Sequence, residues 1–472
     1  MKSSHISRLI MGVNPVRIYG FLFFCAVTLI NPLGSRRSEI WVDPKLAVLV
    51  AIGVFQFFWI AMVVRRKKSE FWSLFEQVFN QHKWLWLTWI AALVVGTLST
   101  ILSPFPERSF WAHPELRDGL FFWAVLLLVA VGASFVARFN SQAVRSAEAG
   151  VVAGVALHAL VMIVQVIDWR FDFTATSFVT NSVYSEMLAS TVWKSQMPIG
   201  LYLHRAQASY MVGLTALCLL IYLPRITASK KEKPVLVFIG LLICVLILGN
   251  SRGVLIPFAL AFLLILWQKL QSFGVNLRKQ VWKRAAVLGL AVILFATTIG
   301  IVFQLKRPIV HESAGKINVI SGGRWEYWQN SLKLVRDRPV LGWGFNGYGV
   351  GAPTLERCAR SAGNKVTEVL DYNFVCHMAD GSVRVFHSFA AKAHNWVLDQ
   401  IVAFGLDGAI AWFLFIGSLF AALMRQGLAA LALYAFIYLL FWYDTSMTTP
   451  WLFLLAATRP SGAAIGAVDI SK

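Results

Sequence analysis

Apolar runs of about 18 or more residues recur along this whole chain, and a run of that length can cross a bilayer as a helix. Little else about the sequence matters as much. Only 14% of its 472 residues are charged and 58% are hydrophobic. A water-soluble domain carries roughly 25% charged residues. So few charges cannot clothe a water-facing surface, which excludes an ordinary cytoplasmic enzyme, a disordered chain and a small disulfide scaffold. Lipid offers no partner to an open backbone edge, and the alternation of barrel strands is absent. The fold class expected is therefore an all-α polytopic membrane protein.

About twelve spans can be drawn, near 18–30, 46–64, 84–102, 120–139, 151–167, 208–223, 235–248, 254–267, 287–305, 401–423, 431–442 and 451–457. The last two are close to the short limit. The net charge of +20 comes from 43 Lys and Arg against 23 Asp and Glu. Lys2, Arg8 and Arg17, then Arg65 to Lys68, then Arg225 to Lys233, then Arg278 to Arg284 all fall on one side if the spans alternate. By the positive-inside rule that side is the cytoplasm, with both termini there. Arg36 and Arg37 fall on the other side and are outnumbered. The first span lacks a small-residue cleavage site, so a retained signal anchor is expected. The charge is thus explained by topology and by membrane lipids, and no nucleic acid is expected as a partner.

Three parts follow: helices one to nine over 1–305, with an outer segment near 168–207; a large outer loop over 306–394; and helices ten to twelve with a cytoplasmic tail over 395–472. The large loop is too long for a simple turn and should carry its own helices. It holds twelve Lys and Arg against seven Asp and Glu. A basic outer loop suits an anionic partner, although long loops also translocate regardless of charge. Cys25, Cys218 and Cys244 lie in apolar runs and fit packing roles. Cys358 and Cys376 share the large loop, where an oxidising compartment permits a disulfide.

Ionisable groups at the outer ends of spans are candidates for chemistry, because placing them near lipid is costly. His204-Arg205 with Gln207 opens the sixth span. Arg205 offers a fixed fork of donors for phosphate oxygens, or else snorkels to headgroups. Asn250-Ser251-Arg252-Gly253 joins two apolar runs with almost no loop, placing Arg252 at the outer edge, with Gly253 expected to permit the tight turn. Trp325, Trp328, Leu332 and Val335 recur at helical spacing, predicting an amphipathic helix that Pro339 ends. That helix is expected to lie along the membrane face with Arg324 and Arg336 outward, its aromatic stripe serving packing more than substrate. The glycines of Gly342 to Gly349 echo a dinucleotide loop, but no strand precedes them and a turn-rich loop is the reading. His394-Asn395 closes the loop and opens a span. A histidine there can be a neutral base, oriented by Asn395 or Asp399, or can be structural. Asp444 and Glu186 are weaker candidates for a base. No metal-ligand spacing is present, so metal-independent chemistry without a cofactor is expected.

These patterns resemble the bacterial O-antigen ligases of the WaaL type, in the wider O-antigen ligase and polymerase superfamily. The resemblance rests on Ser251-Arg252-Gly253, on Gly323-Arg324-Trp325 running to Pro339-Val340-Leu341-Gly342-Trp343-Gly344, and on His394-Asn395 before Phe404-Gly405-Leu406. It is best from about 235 to 423. It implies a GT-C-like fold, and a periplasmic reaction at the inner membrane in which a glycan passes from undecaprenyl diphosphate to lipid A–core oligosaccharide with inversion. It implies catalytic roles for His394, Arg252 and Arg205, and substrate contacts for Arg205, Arg252, Arg324 and Asn395. An O-antigen polymerase or a protein oligosaccharyltransferase would share the pattern and the donor. A lipid-linked oligosaccharide transporter is the other class, but no internal repeat favours it.

Overall fold

The computed structural model describes residues 14–66, 68–166, 198–227, 232–272, 324–370, 373–387 and 391–459. The expected ninth span, the segment near 168–197 and both ends of the chain lie outside the described residues.

In chain order the helices are α1 Pro15–Thr28, α2 Arg37–Trp41, α3 Asp43–Arg66, α4 Lys68–Gln81, α5 Lys83–Ile101, α6 Pro106–Trp111, α7 Leu120–Phe139, α8 Ser141–Val166, α9 Arg205–Thr227, α10 Glu232–Gly249 and α11 Arg252–Ser272. Further along the chain come α12 Trp325–Asp337, α13 Gly347–Gly351 and α14 Arg357–Arg360. The last three are α15 Trp396–Arg425, α16 Ala429–Phe441 and α17 Pro450–Thr458. Among the described residues, 7 helices are long and apolar enough to cross a membrane, namely α3, α5, α7, α8, α9, α11 and α15. α1, α16 and the apolar part of α10 are shorter. The chain is an all-α polytopic membrane protein.

Small residues let the helices approach. A Cβ at Gly150 would stand 2.1 Å from the Gly20 carbonyl oxygen, and one at Gly20 would strike Ser146. α1 and α8 therefore pack backbone to backbone, the usual solution where lipid offers no hydrophobic drive between helices. One end of the bundle is tied at Arg459, which pairs with Glu148 at 2.7 Å and whose carbonyl accepts from Gln81 and Gln426. The candidate residues gather at the opposite end.

The large loop carries more than helices. β1 Lys365–Val369, β2 Asn373–His377 and β3 Val383–His387 form an antiparallel sheet in the order β1-β2-β3, with an irregular register between Val366 and Glu368. Cys358 and Cys376 are joined by a disulfide and pack with Val366 and Phe374 in a small core of their own. α12 differs from its expected pose. Ser331 and Leu334 are buried, while Trp325 is 40% and Leu332 63% exposed. The face that packs runs through Tyr327, Leu334 and Val335 onto Trp343, Tyr348 and Ala393. The glycine-rich stretch is not all turn, since α13 closes it.

Two distant sequence patterns prove to be one structural unit. α15 is broken at Gly405, whose φ of 71° lies in the left-handed region. The stretch 339–344 inserts at the break. The Leu406 amide donates to the Pro339 carbonyl at 2.6 Å, and the Trp343 and Gly344 amides donate to Val402 and Ala403. A Cβ at Gly405 would stand 2.3 Å from the Val340 oxygen. Ser99 of α5 donates to the Ala403 and Leu341 carbonyls, closing the joint from a third side. The break thus re-satisfies backbone groups that a kink would leave bare.

Candidate active site

Three buried polar side chains fix the start of α9. Gln165 Oε1 accepts from the Ile199 and Gly200 amides at 3.0 and 2.8 Å. His158 Nδ1 accepts from the Leu201 amide at 2.9 Å, and its Nε2 lies 3.3 Å from the Ala208 carbonyl. Lys45 Nζ donates to the carbonyls of Leu29, Trp41 and Leu201 at 3.0, 3.3 and 2.9 Å. The segment 198–204 is thereby held on three sides, and His204 and Arg205 leave it in one direction.

The α10–α11 turn then brings a second guanidinium. Asn250 takes the left-handed conformation at φ 44°, while Gly253 is an ordinary residue of α11. The tight turn expected of Gly253 is made by Asn250, which tolerates that backbone region. Gly249 sits so close to α9 that a Cβ would meet Ser209 Oγ at 2.3 Å. That approach sets Arg252, the first residue of α11, within electrostatic reach of Arg205, and the two like charges oppose each other.

Arg324 stands before α12 and points inward, not outward as expected. Its guanidinium lies 5.9 Å from the Trp442 ring centroid. Arg336 is exposed.

His394 holds a left-handed φ of 57°, a conformation a non-glycine residue keeps only where its surroundings over-determine it. Each neighbour in sequence is pinned. Lys392 pairs with Asp118 at 2.5 Å, and the Ala393 amide donates to Asp399 at 2.8 Å. Asn395 caps α15 by accepting from the Leu398 amide at 3.1 Å, and Trp396 Nε1 donates to Asp444 at 2.5 Å. Asp118, Lys392, Asp399 and Asp444 are all buried. Burial alone would lower the Lys392 pKa, but Asp118, Asp399 and Asp444 together raise it, so it stays charged. Asn395 and Asp399 thus fix the backbone around His394.

The ring sits among aromatics. Its centroid is 5.9 Å from Tyr327, 5.2 Å from Trp442 and 5.1 Å from Tyr443. His204 lies 4.9 Å from Trp442 on the same indole. Trp442 and Tyr443 begin an irregular stretch between α16 and α17, helices of 13 and 9 residues. Neither reaches across the roughly 30 Å of a bilayer core. Asp444, Thr445, Ser446, Thr448 and Thr449 in that stretch are all buried, which places non-helical backbone inside the bundle where protein can satisfy it. Trp442 and Tyr443 carry no pattern that sets them apart in sequence.

Desolvation lowers the His394 pKa to about 4, with Arg324 adding to the effect. Desolvation also takes His204 to about 3, followed by Arg205, His394, Arg37 and Arg324. Both imidazoles are therefore neutral near pH 7. His204 Nδ1 accepts from the Ala206 amide at 3.1 Å, so that ring carries its proton on Nε2 and acts as a donor. His394 Nδ1 is buried and finds no hydrogen-bond partner among the described residues. The arrangement offers fixed positive charge for an anion and a neutral base beside it.

Residues 235–360 match the family model described as O-antigen ligase. Over that stretch the chain is similar to the O-antigen ligase superfamily. The matched segment includes Arg252 and Arg324, whereas Arg205 and His394 lie outside it and join them through the fold. The match supports a ligase- or polymerase-type, glycosyltransferase-like activity in O-antigen assembly for this multi-pass membrane protein. No curated protein matches it.

Proposed function

We propose that the chain is an O-antigen ligase that transfers a glycan from undecaprenyl diphosphate to a sugar hydroxyl of lipid A–core oligosaccharide, on the periplasmic face of the inner membrane. The observation that supports this most directly is the gathering of Arg205, Arg252, Arg324 and His394 at one end of the bundle, with Arg324, His394 and His204 meeting on a single indole.

In this scheme the acceptor oxygen attacks the anomeric carbon as the bond from that carbon to the diphosphate oxygen breaks, and configuration inverts. The proton of the hydroxyl passes to His394, a contribution of typically about 10²–10⁴-fold. Undecaprenyl diphosphate departs with the electron pair. Arg205, partly desolvated, and Arg252 beside it stabilise the charge that grows on the leaving oxygen. Arg324 holds the glycan-bearing phosphate close to His394. Guanidinium charge takes the place of a divalent ion. Both substrates are lipids and enter sideways from the bilayer, the large loop covers them, and proximity supplies much of the rate.

Purified chain given a defined donor and acceptor should join them, with and without excess chelator. Lengthening of the glycan on undecaprenyl diphosphate would instead identify a polymerase. Movement of the donor across vesicles with no new bond would identify a transporter, and restoration of a chelated enzyme by one divalent ion would overturn the metal-free scheme.

A further inference from the structure

A polar cavity of about 180 Å³ lies beside His394, faced by Arg37, His113, Glu115, His204 and Gln207. It has room for about six waters at roughly 30 Å³ each. Pockets for drug-sized ligands run to roughly 300–1,000 Å³, so this space fits one sugar ring and little more.

Charge argues against an anion there. None of Arg205, Arg252 and Arg324 lines the cavity. Lys392 does, but its amine is spent on Asp118 at 2.5 Å. Arg37 and Glu115 carry opposite charges. The walls are close to neutral, unlike the cluster of Arg205, Arg252 and Arg324.

Hydrogen-bonding capacity argues for a polyhydroxylic ligand. His204 Nδ1 accepts from the Ala206 amide at 3.1 Å, so that neutral ring keeps its proton on Nε2 and is a donor there. Gln207 is 1% exposed, and its Oε1 finds no partner among the described residues. A buried acceptor left in that state is costly until a donor arrives. A sugar hydroxyl both donates and accepts, and so matches a wall of this mixed kind.

We propose that this cavity is the acceptor subsite, which takes one neutral pyranose ring of the acceptor glycan. Gln207 Oε1 accepts from one hydroxyl of that ring, His204 Nε2 donates to another, and a third is left at His394. The assignment rests on the glycosyl-transfer reading above. It splits the site in two, with the anionic donor at the arginines and the uncharged acceptor ring across His394 from them.

Gln207→Leu in the full chain tests it. The KM for acceptor should rise about five- to tenfold, the loss expected for one or two neutral hydrogen bonds, while the KM for donor stays unchanged. Ala391→Leu, which narrows the cavity from another wall, should have the same selective effect and serves if the first variant fails to fold. Tryptophan fluorescence titrated with free D-glucose, D-galactose or L-glycero-D-manno-heptose gives a readout that needs no turnover. At least one sugar should produce a saturable response that Gln207→Leu abolishes. Transfer with an unaltered acceptor KM in both variants would overturn the subsite and leave the ligase reading standing. A Gln207-dependent sugar response in a protein that transfers nothing would keep the subsite and overturn that reading. A response to inorganic phosphate and to no sugar would show an anion site and overturn the proposal.

Discussion

The His394 imidazole and the Trp442 indole meet edge to face, their centroids 5.2 Å apart at 67°. Trp442 also carries His204 at 4.9 Å, Arg324 at 5.9 Å and Tyr443 at 4.9 Å. One side chain therefore sets the relative positions of His394 and Arg324. Trp442→Phe keeps a ring and should lower transfer by less than about tenfold, whereas Trp442→Ala should cost about 100-fold or more through misplacement alone. Steady-state transfer by the purified variants checks this, and equal losses in the two would remove the platform role.

His394→Ala should leave the chain inserted and abolish joined product on gels. The wild-type pH profile is the finer test. With its pKa lowered to about 4, first by desolvation and then by Arg324, His394 stays a competent base as the pH falls through 6 and 5, and kcat/KM should drop only near pH 4. Arg324→Gln removes a charge that disfavours the imidazolium, so the acid limb of kcat/KM should move upward. A limb that stays put in that variant would separate Arg324 from the base.

Arg205 and Arg252 oppose each other in the absence of an anion. Pyrophosphate or undecaprenyl diphosphate should relieve that repulsion and raise the thermal midpoint, with stabilisation of about 2.7 kcal/mol at a hundred times the Kd. Arg252→Lys keeps the charge but loses the planar fork, so the shift and the transfer rate should both fall sharply. Full activity in the lysine variant would rule out bidentate recognition of the diphosphate.

Asp399 acts on His394 only through the backbone, by accepting from the Ala393 amide at 2.8 Å. Asp399→Asn retains an acceptor oxygen and should keep most of the kcat. Asp399→Leu has none, and the left-handed turn at His394 should relax, lowering kcat by about 10²-fold with both KM values little changed. A parallel loss in the two variants would show that the charge, not the acceptor, is what the turn needs.

Much of this site is legible from residue type and position. Arg205, Arg252 and His394 stand at the ends of apolar runs, where a charge or an imidazole is conspicuous against lipid. Lys45, His158 and Gln165 are not conspicuous in that way, because each satisfies itself on backbone far along the chain, at Leu201, Ala208 and Gly200. Trp442 is one of 19 tryptophans and only folding distinguishes it. The same holds for Asn250, which does the work expected of Gly253, and for Arg324, whose direction depends on which face of α12 finds Trp343 and Tyr348. The sheet escapes notice because its strands have 5 residues each and β3 is largely exposed, so no clean alternation marks them. The pairing of 339–344 with Gly405 is a backbone relationship that side-chain patterns announce only as glycines.

The irregular stretch after α16 bears on biogenesis. A chain threaded into the membrane from its N-terminus has nearly every helix in place before Trp442 and Asp444 leave the ribosome. Until that last hairpin docks, Trp396 lacks its carboxylate and the imidazole lacks its indole. On the proposed function, the site is complete only once this hairpin is in place, and a copy truncated before it should be inactive.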